Sequence, residues 1–160
     1  MNIIEKDKRI AFEKALLKEY FPNFKVYTLR GILFVSGWIT ANVNRYKLRL
    51  MLPKEFPYGP PKMFIVSPRV LYTADGKSLM SLGVSHSFHT VSDVPGDYIQ
   101  ISYTDYCDAS CTCGAVIIKG IFWIKGYEEH LRTGESIDDI LRGFLLKNRK
   151  LLKKNIKKKM

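Results

Sequence analysis

Three cysteines stand close together at Cys107, Cys111 and Cys113, and two histidines, His86 and His89, precede them. A thiolate is both a nucleophile and a metal ligand, so such a cluster raises two chemistries at once. The C-x3-C-x-C spacing lacks the usual C-x2-C knuckle and a second pair, which makes a structural zinc site a poor fit; no metal and no cofactor is expected. Two readings of the thiols stay open. They pack as small apolar groups under the first turn of the helix that follows, or Cys111 or Cys113 is reactive, because a helix N-terminus lowers a thiol pKa. His86 and His89 titrate near neutral pH and suit a base or an oxyanion donor, although either could simply bond within its loop. Between the histidines and the cysteines runs Gly96–Tyr103, G-D-Y-I-Q-I-S-Y, and the central question is what Ser102 does there.

That stretch separates two halves with different periodicities. Residues 2–21 read as an amphipathic helix: Asn2 caps, Glu5 completes a capping box, and Phe12, Ala15, Leu16 and Tyr20 recur at helical spacing. Pro22 ends it. The pattern then changes to period two, most clearly where Tyr46, Leu48, Leu50 and Leu52 alternate with Lys47, Arg49 and Met51, the mark of a half-buried antiparallel strand. Strand material also lies at Lys25–Arg30, at Ile32–Asn42 (one bulged strand or two shorter ones around Gly37), and at Met63–Val66. The prolines of Phe56-Pro-Tyr-Gly-Pro-Pro61 exclude a helix and predict an extended crossing of the surface. Residues 67–98 read as one long connection, functional or mobile. Ala115–Arg132 predicts a helix with Ile117, Ile121, Ile124 and Leu131 on one face and Gly134 past its end. Ser136 with Asp139 starts a last helix from Ile137 to about Lys154. The order is helix, four-stranded antiparallel meander, long loop, helices, an α+β architecture in a single domain over 1–160.

The totals limit the function classes. At 160 residues with 46% hydrophobic side chains, the chain can bury a core without staples. No apolar run is long enough to cross a bilayer, since Ala115–Ile124 is interrupted by Lys119 and Gly120. The first residues lack the apolar stretch of a secretory signal. Three clustered cysteines argue against a disulfide framework, and together these features predict a cytoplasmic protein with no membrane partner. The net charge is +11, and Lys147–Lys159 carries eight Lys and Arg with no acid. A tail of that kind, about 147–160, is a solvated helix end or docks on an acidic surface. Nucleic-acid binding through it is the weakest reading, because no reading motif accompanies the charge.

Two segments then carry a family resemblance. Tyr46-Lys-Leu-Arg-Leu-Met-Leu-Pro53 followed by Phe56-Pro-Tyr-Gly-Pro-Pro-Lys62 resembles the strand, proline-rich turn and strand of ubiquitin-conjugating enzymes. Gln100-Ile-Ser-Tyr103 followed by Trp123-Ile-Lys-Gly-Tyr-Glu-Glu-His-Leu-Arg-Thr-Gly134 is similar to the prokaryotic branch of that fold, closest to the stand-alone proteins of CBASS anti-phage operons. The resemblance spans roughly residues 1–140 and implies a nucleophilic cysteine at the position of Ser102. It also implies thioester capture of a protein C-terminus and transfer to an amine or release by hydrolysis, with a cGAS-like nucleotidyltransferase or another protein as the conjugated partner; the alternatives are a separate ubiquitin-like modifier, or a non-catalytic scaffold of the same fold. The chain departs from the pattern twice. Serine replaces cysteine at 102, by substitution or by natural loss, and Ser85-His-Ser-Phe-His-Thr90 replaces a His-Pro-Asn segment. His86 or His89 would then support the oxyanion or the incoming amine, with Asp105 and Tyr106 orienting it and Cys111 or Cys113 as second-rank nucleophiles.

Overall fold

The computed structural model describes residues 2–92, 96–102 and 107–159. Helix α1 (Ile3–Tyr20) starts in the expected capping box, with the Glu5 amide donating to Asn2 Oδ1 at 2.8 Å and the Asn2 amide to Glu5 Oε2 at 3.1 Å. Its buried face is not the one the apolar spacing predicts. Phe12 and Tyr20 are exposed, whereas Leu17 and the charged Glu13 are buried. The reason is a polar contact: Glu13 faces the start of a later helix and must lie inside.

Four strands follow as a meander: β1 (Lys25–Leu29), β2 (Ile32–Thr40), β3 (Arg45–Leu52) and β4 (Lys62–Ser67). Ile32–Thr40 is one strand, paired continuously with β3, and a register irregularity falls between β3 and β4 at Lys47/Leu48. Gly37 permits this continuity because a Cβ there would lie 2.6 Å from the Phe24 ring. The sheet does not stop at four strands. A two-residue strand β5 (Thr90–Val91) and a three-residue strand β6 (Ile99–Ile101) extend it, in the order β1-β2-β3-β4-β6-β5, antiparallel throughout among the described residues. Two or three residues are too few to show a period, which hides both strands from pattern reading.

The alternation in β3 is as expected: Tyr46, Leu48, Leu50 and Leu52 are all buried. Each such side chain contributes roughly 2 kcal/mol by leaving water. Helix α2 (Cys113–Thr133) lies across them and ends at Gly134, whose φ of 77° is the left-handed cap that glycine accepts without strain. Gly120 sets the approach, since a Cβ there would come within 2.6 Å of Leu48 Cδ2 and 2.7 Å of Met63 Sδ. Ile117 and Ile124 are buried as predicted; Leu131 is exposed, and Trp123, Tyr127 and His130 take the rest of the face. Helix α3 runs Ile137–Lys159, with Ile137 and Ile140 buried at its start. From Leu145 on, every described side chain is exposed.

The proline-rich segment is a compact turn and not an extended crossing. The amides of Phe56 and Tyr58 donate to the carbonyls of Pro53 and Glu55 at 2.9 Å each, and Phe56 is buried beneath the Arg9 guanidinium. The long connection after β4 is likewise fastened. The Tyr72 amide and carbonyl both bond the Tyr127 hydroxyl, at 3.2 and 2.8 Å. The Ala74 amide donates to His130 Nε2 at 2.9 Å, and Trp123 Nε1 donates to the Phe88 carbonyl at 2.9 Å. No helix among the described residues is long and apolar enough to cross a membrane.

Candidate functional site

Ser102 follows the last residue of β6 and is half-buried. Its position is fixed by its backbone: the Ser102 amide donates to the His89 carbonyl at 2.8 Å. His89 can present that carbonyl because its φ of 51° turns the chain left-handed just before β5, a conformation for which histidine is among the more tolerant residues. β5 and β6 pair Thr90 with Ile101, which brings the histidine segment alongside Ser102.

The two histidines do come together, and both face an aspartate that the sequence reading passed over. His89 Nε2 lies 2.7 Å from Asp138 Oδ1, and His86 Nε2 lies 3.5 Å from Asp138 Oδ2. The rings stack with centroids 5.7 Å apart. Arg142 approaches the same carboxylate at 2.7 Å, and the Asp138 amide donates to the Ser87 carbonyl at 3.0 Å. The hydrogen bond from His89, with Arg142 and His86 beside it, holds the Asp138 carboxyl below its ordinary range. An ionised carboxylate only accepts, so His89 Nε2 carries the proton and its Nδ1 is the atom left for other work. The two histidines differ in access: the His89 side chain is 5% exposed, that of His86 79%. Asp138 was hidden because Ser136 and Asp139 together already account for a helix start, and the Asp139 amide does meet Ser136 Oγ at 3.2 Å.

The cysteine side departs further from expectation. Cys107 and Cys111 are joined by a disulfide, so Cys111 is no free nucleophile and the argument from cysteine usage to a reducing compartment fails. Two cysteines four residues apart suffice for one local bridge even where three cannot make a framework. Cys113 is free and buried. Burial, followed by the Glu13 carboxylate beside it, pushes its thiol well above the ordinary range, and this outweighs any lowering by the helix N-terminus. Glu13 Oε2 accepts from the Cys113 amide at 2.9 Å at the first turn of α2, while Arg9 bonds Glu13 and the carbonyls of Ala109 and Cys111 at 2.5 and 2.9 Å. Asp105 and Tyr106 lie outside the described residues, as does Tyr103.

Ser102 lies where two clefts meet. One, of about 360 Å³, runs between α2 and α3 past Ile118, Phe122, Leu141 and Phe144, with His89 beside Ser102. The other, of about 540 Å³, opens between the proline-rich turn and β6, with Glu55, Gly59 and Cys107 in its walls. The described residues place no cluster of His, Cys, Asp and Glu fit to hold a metal ion. Among them the Ser102 hydroxyl also has no hydrogen-bonded base. What the arrangement offers is an accessible side chain at 102, reachable from two sides, next to a histidine oriented by a carboxylate. Compared with known proteins, the chain matches no family model, no curated protein and no solved structure.

Proposed function

We propose that this chain is a ubiquitin-conjugating-like acyl transferase whose nucleophile position is Ser102, acting on a cGAS-like nucleotidyltransferase or another protein captured by its C-terminus. The observation that carries the reading is the place of Ser102 at the end of β6, where two clefts converge beside the His89–Asp138 pair. With a cysteine there, its thiolate attacks the carbonyl of an activated C-terminus, such as the thioester of an activating enzyme. A new S–C bond forms and the donor thiolate leaves. An amine then attacks, an amide forms, and the cysteine thiolate is released. His89 would orient or deprotonate that amine through Nδ1. With serine the cycle stalls: the hydroxyl has a far higher pKa, no base among the described residues bonds it, and the product is at best an oxyester.

The test is Ser102→Cys, co-expressed with the candidate nucleotidyltransferase and read by mass spectrometry. A thiol-sensitive adduct at residue 102 is the expected result, and a chain that carries none sinks the proposal. A second reading, a non-catalytic binding protein of the same fold, is favoured by the serine itself, which stands where the resemblance implies a cysteine. The genomic codon separates the two, since a cysteine codon at 102 supports the enzyme and a serine codon the scaffold.

A further inference from the structure

The two faces of the sheet are chemically different. α2 covers the inner one, so the odd-numbered residues of β3, Arg45, Lys47 and Arg49 among them, point to the outer face, where Ser36, Phe64 and Gln100 are buried in the middle row and Arg45 and Trp38 are exposed. The register sets aromatic rings beside these cations. Trp38 pairs with Lys47, and Phe64 pairs with Arg49 from the far side. The cations lie over the rings themselves: Arg45 is 4.8 Å from the Trp38 centroid, and Arg49 is 5.7 Å from that of Phe34 and 5.5 Å from that of Tyr98. None of the six strands contains an aspartate or a glutamate.

Arg49 is the most telling member. It sits at the middle of the sheet with a buried Nε that has no hydrogen-bond partner, and among the described residues it meets aromatic rings but no carboxylate. A guanidinium is ordinarily paired where it is partly desolvated, because an unmatched charge there is unfavourable. Trp38, paired with Lys47, and Tyr98, beneath Arg49, each have more than a third of their surface exposed.

We propose that this outer face binds single-stranded nucleic acid, with phosphates on Arg45, Lys47 and Arg49 and bases against Trp38 and Tyr98. The charge calls for an anion, and the rings decide which. Bases are planar and stack on aromatic and guanidinium surfaces, strand rows about 4.8 Å apart alternate the two kinds of contact, and stacking tolerates any base. A duplex keeps its base faces stacked inside and would use only the cations. An acidic protein surface would use the cations and leave the rings idle. This face is remote in role from acyl transfer and does not depend on that reading.

The test measures fluorescence anisotropy of labelled dT15, U15 and a 15-base-pair duplex with the full chain at about 50 and about 200 mM salt. The expected result is preference for the single strands and weakening with salt. Trp38→Ala and Arg49→Gln should each weaken binding about tenfold, in line with the loss of one stacked base or one charged contact. Replacing Lys150, Lys153, Lys154 and Lys157 by glutamine should change it less than about threefold. Should Trp38→Ala fail to fold, as judged by circular dichroism, the surface pair Arg45→Gln and Lys47→Gln serves in its place. Equal affinity for duplex, loss only in the α3 variant, or displacement by polyglutamate with no effect of Trp38→Ala would each overturn the proposal. The last would assign the face to an acidic protein.

Discussion

Ser102 stands between two flanks built in opposite ways. The histidine flank is held by one aspartate that gathers two imidazoles and a guanidinium, and it stays open to solvent at His86. The cysteine flank is closed by a covalent bridge and tied down by Arg9 and Glu13 of α1, with its one free thiol buried. The difference teaches where chemistry can enter. The ionisable side chains around Asp138 lie on the side of α3, while the side of α1 holds the disulfide and the buried thiol.

Five experiments break or sharpen that contrast. Asp138→Ala should be the most damaging, because it leaves the buried His89 ring and the start of α3 without their shared partner; a loss of about 2–4 kcal/mol is expected in a denaturant titration. Glu13→Gln should cost about 1–2 kcal/mol on the other flank, since the amide oxygen can still accept from Cys113 but the charge opposite Arg9 is gone. The pH response should belong to the histidine flank. A depressed folded pKa at Asp138 gives stability that is present above the ordinary value of 3.8 and is lost as the pH falls below it. The stability gap between the native chain and Asp138→Asn should therefore hold at neutral pH and close in acid. Smallest of all, His86→Ala should change stability by less than about 0.5 kcal/mol, as for most exposed side chains. Alkylation gives an independent check on the cysteine flank: native protein should take up no iodoacetamide, mild reduction should expose Cys107 and Cys111, and Cys113 should react only on unfolding.

The parts of this fold that depend on neighbours in sequence could be read from it. Asn2 and Glu5 form their box within one turn, β3 declares its faces in eight residues, and Gly134 ends α2 where a glycine should. The parts that depend on distant partners could not. Arg9 meets Cys111 across 102 positions and His89 meets Asp138 across 49, and no local period encodes either. Glu13 shows the mechanism of error. Counting apolar residues on α1 selects Phe12 and Tyr20, but the carboxylate is needed at the start of α2 and rotates a different face inward. What surrounds Ser102 was not legible in any local pattern: the Asp138 network lies on one side and the Cys107–Cys111 bridge on the other.

Helix α3 has one further implication. Its first turn carries Asp138, and its backbone continues unbroken to Lys159. At 1.5 Å per residue the stretch after Leu145, exposed at each described side chain, is about 20 Å long. A load on the lysine-rich end would be carried along that helix to the carboxylate that holds His89.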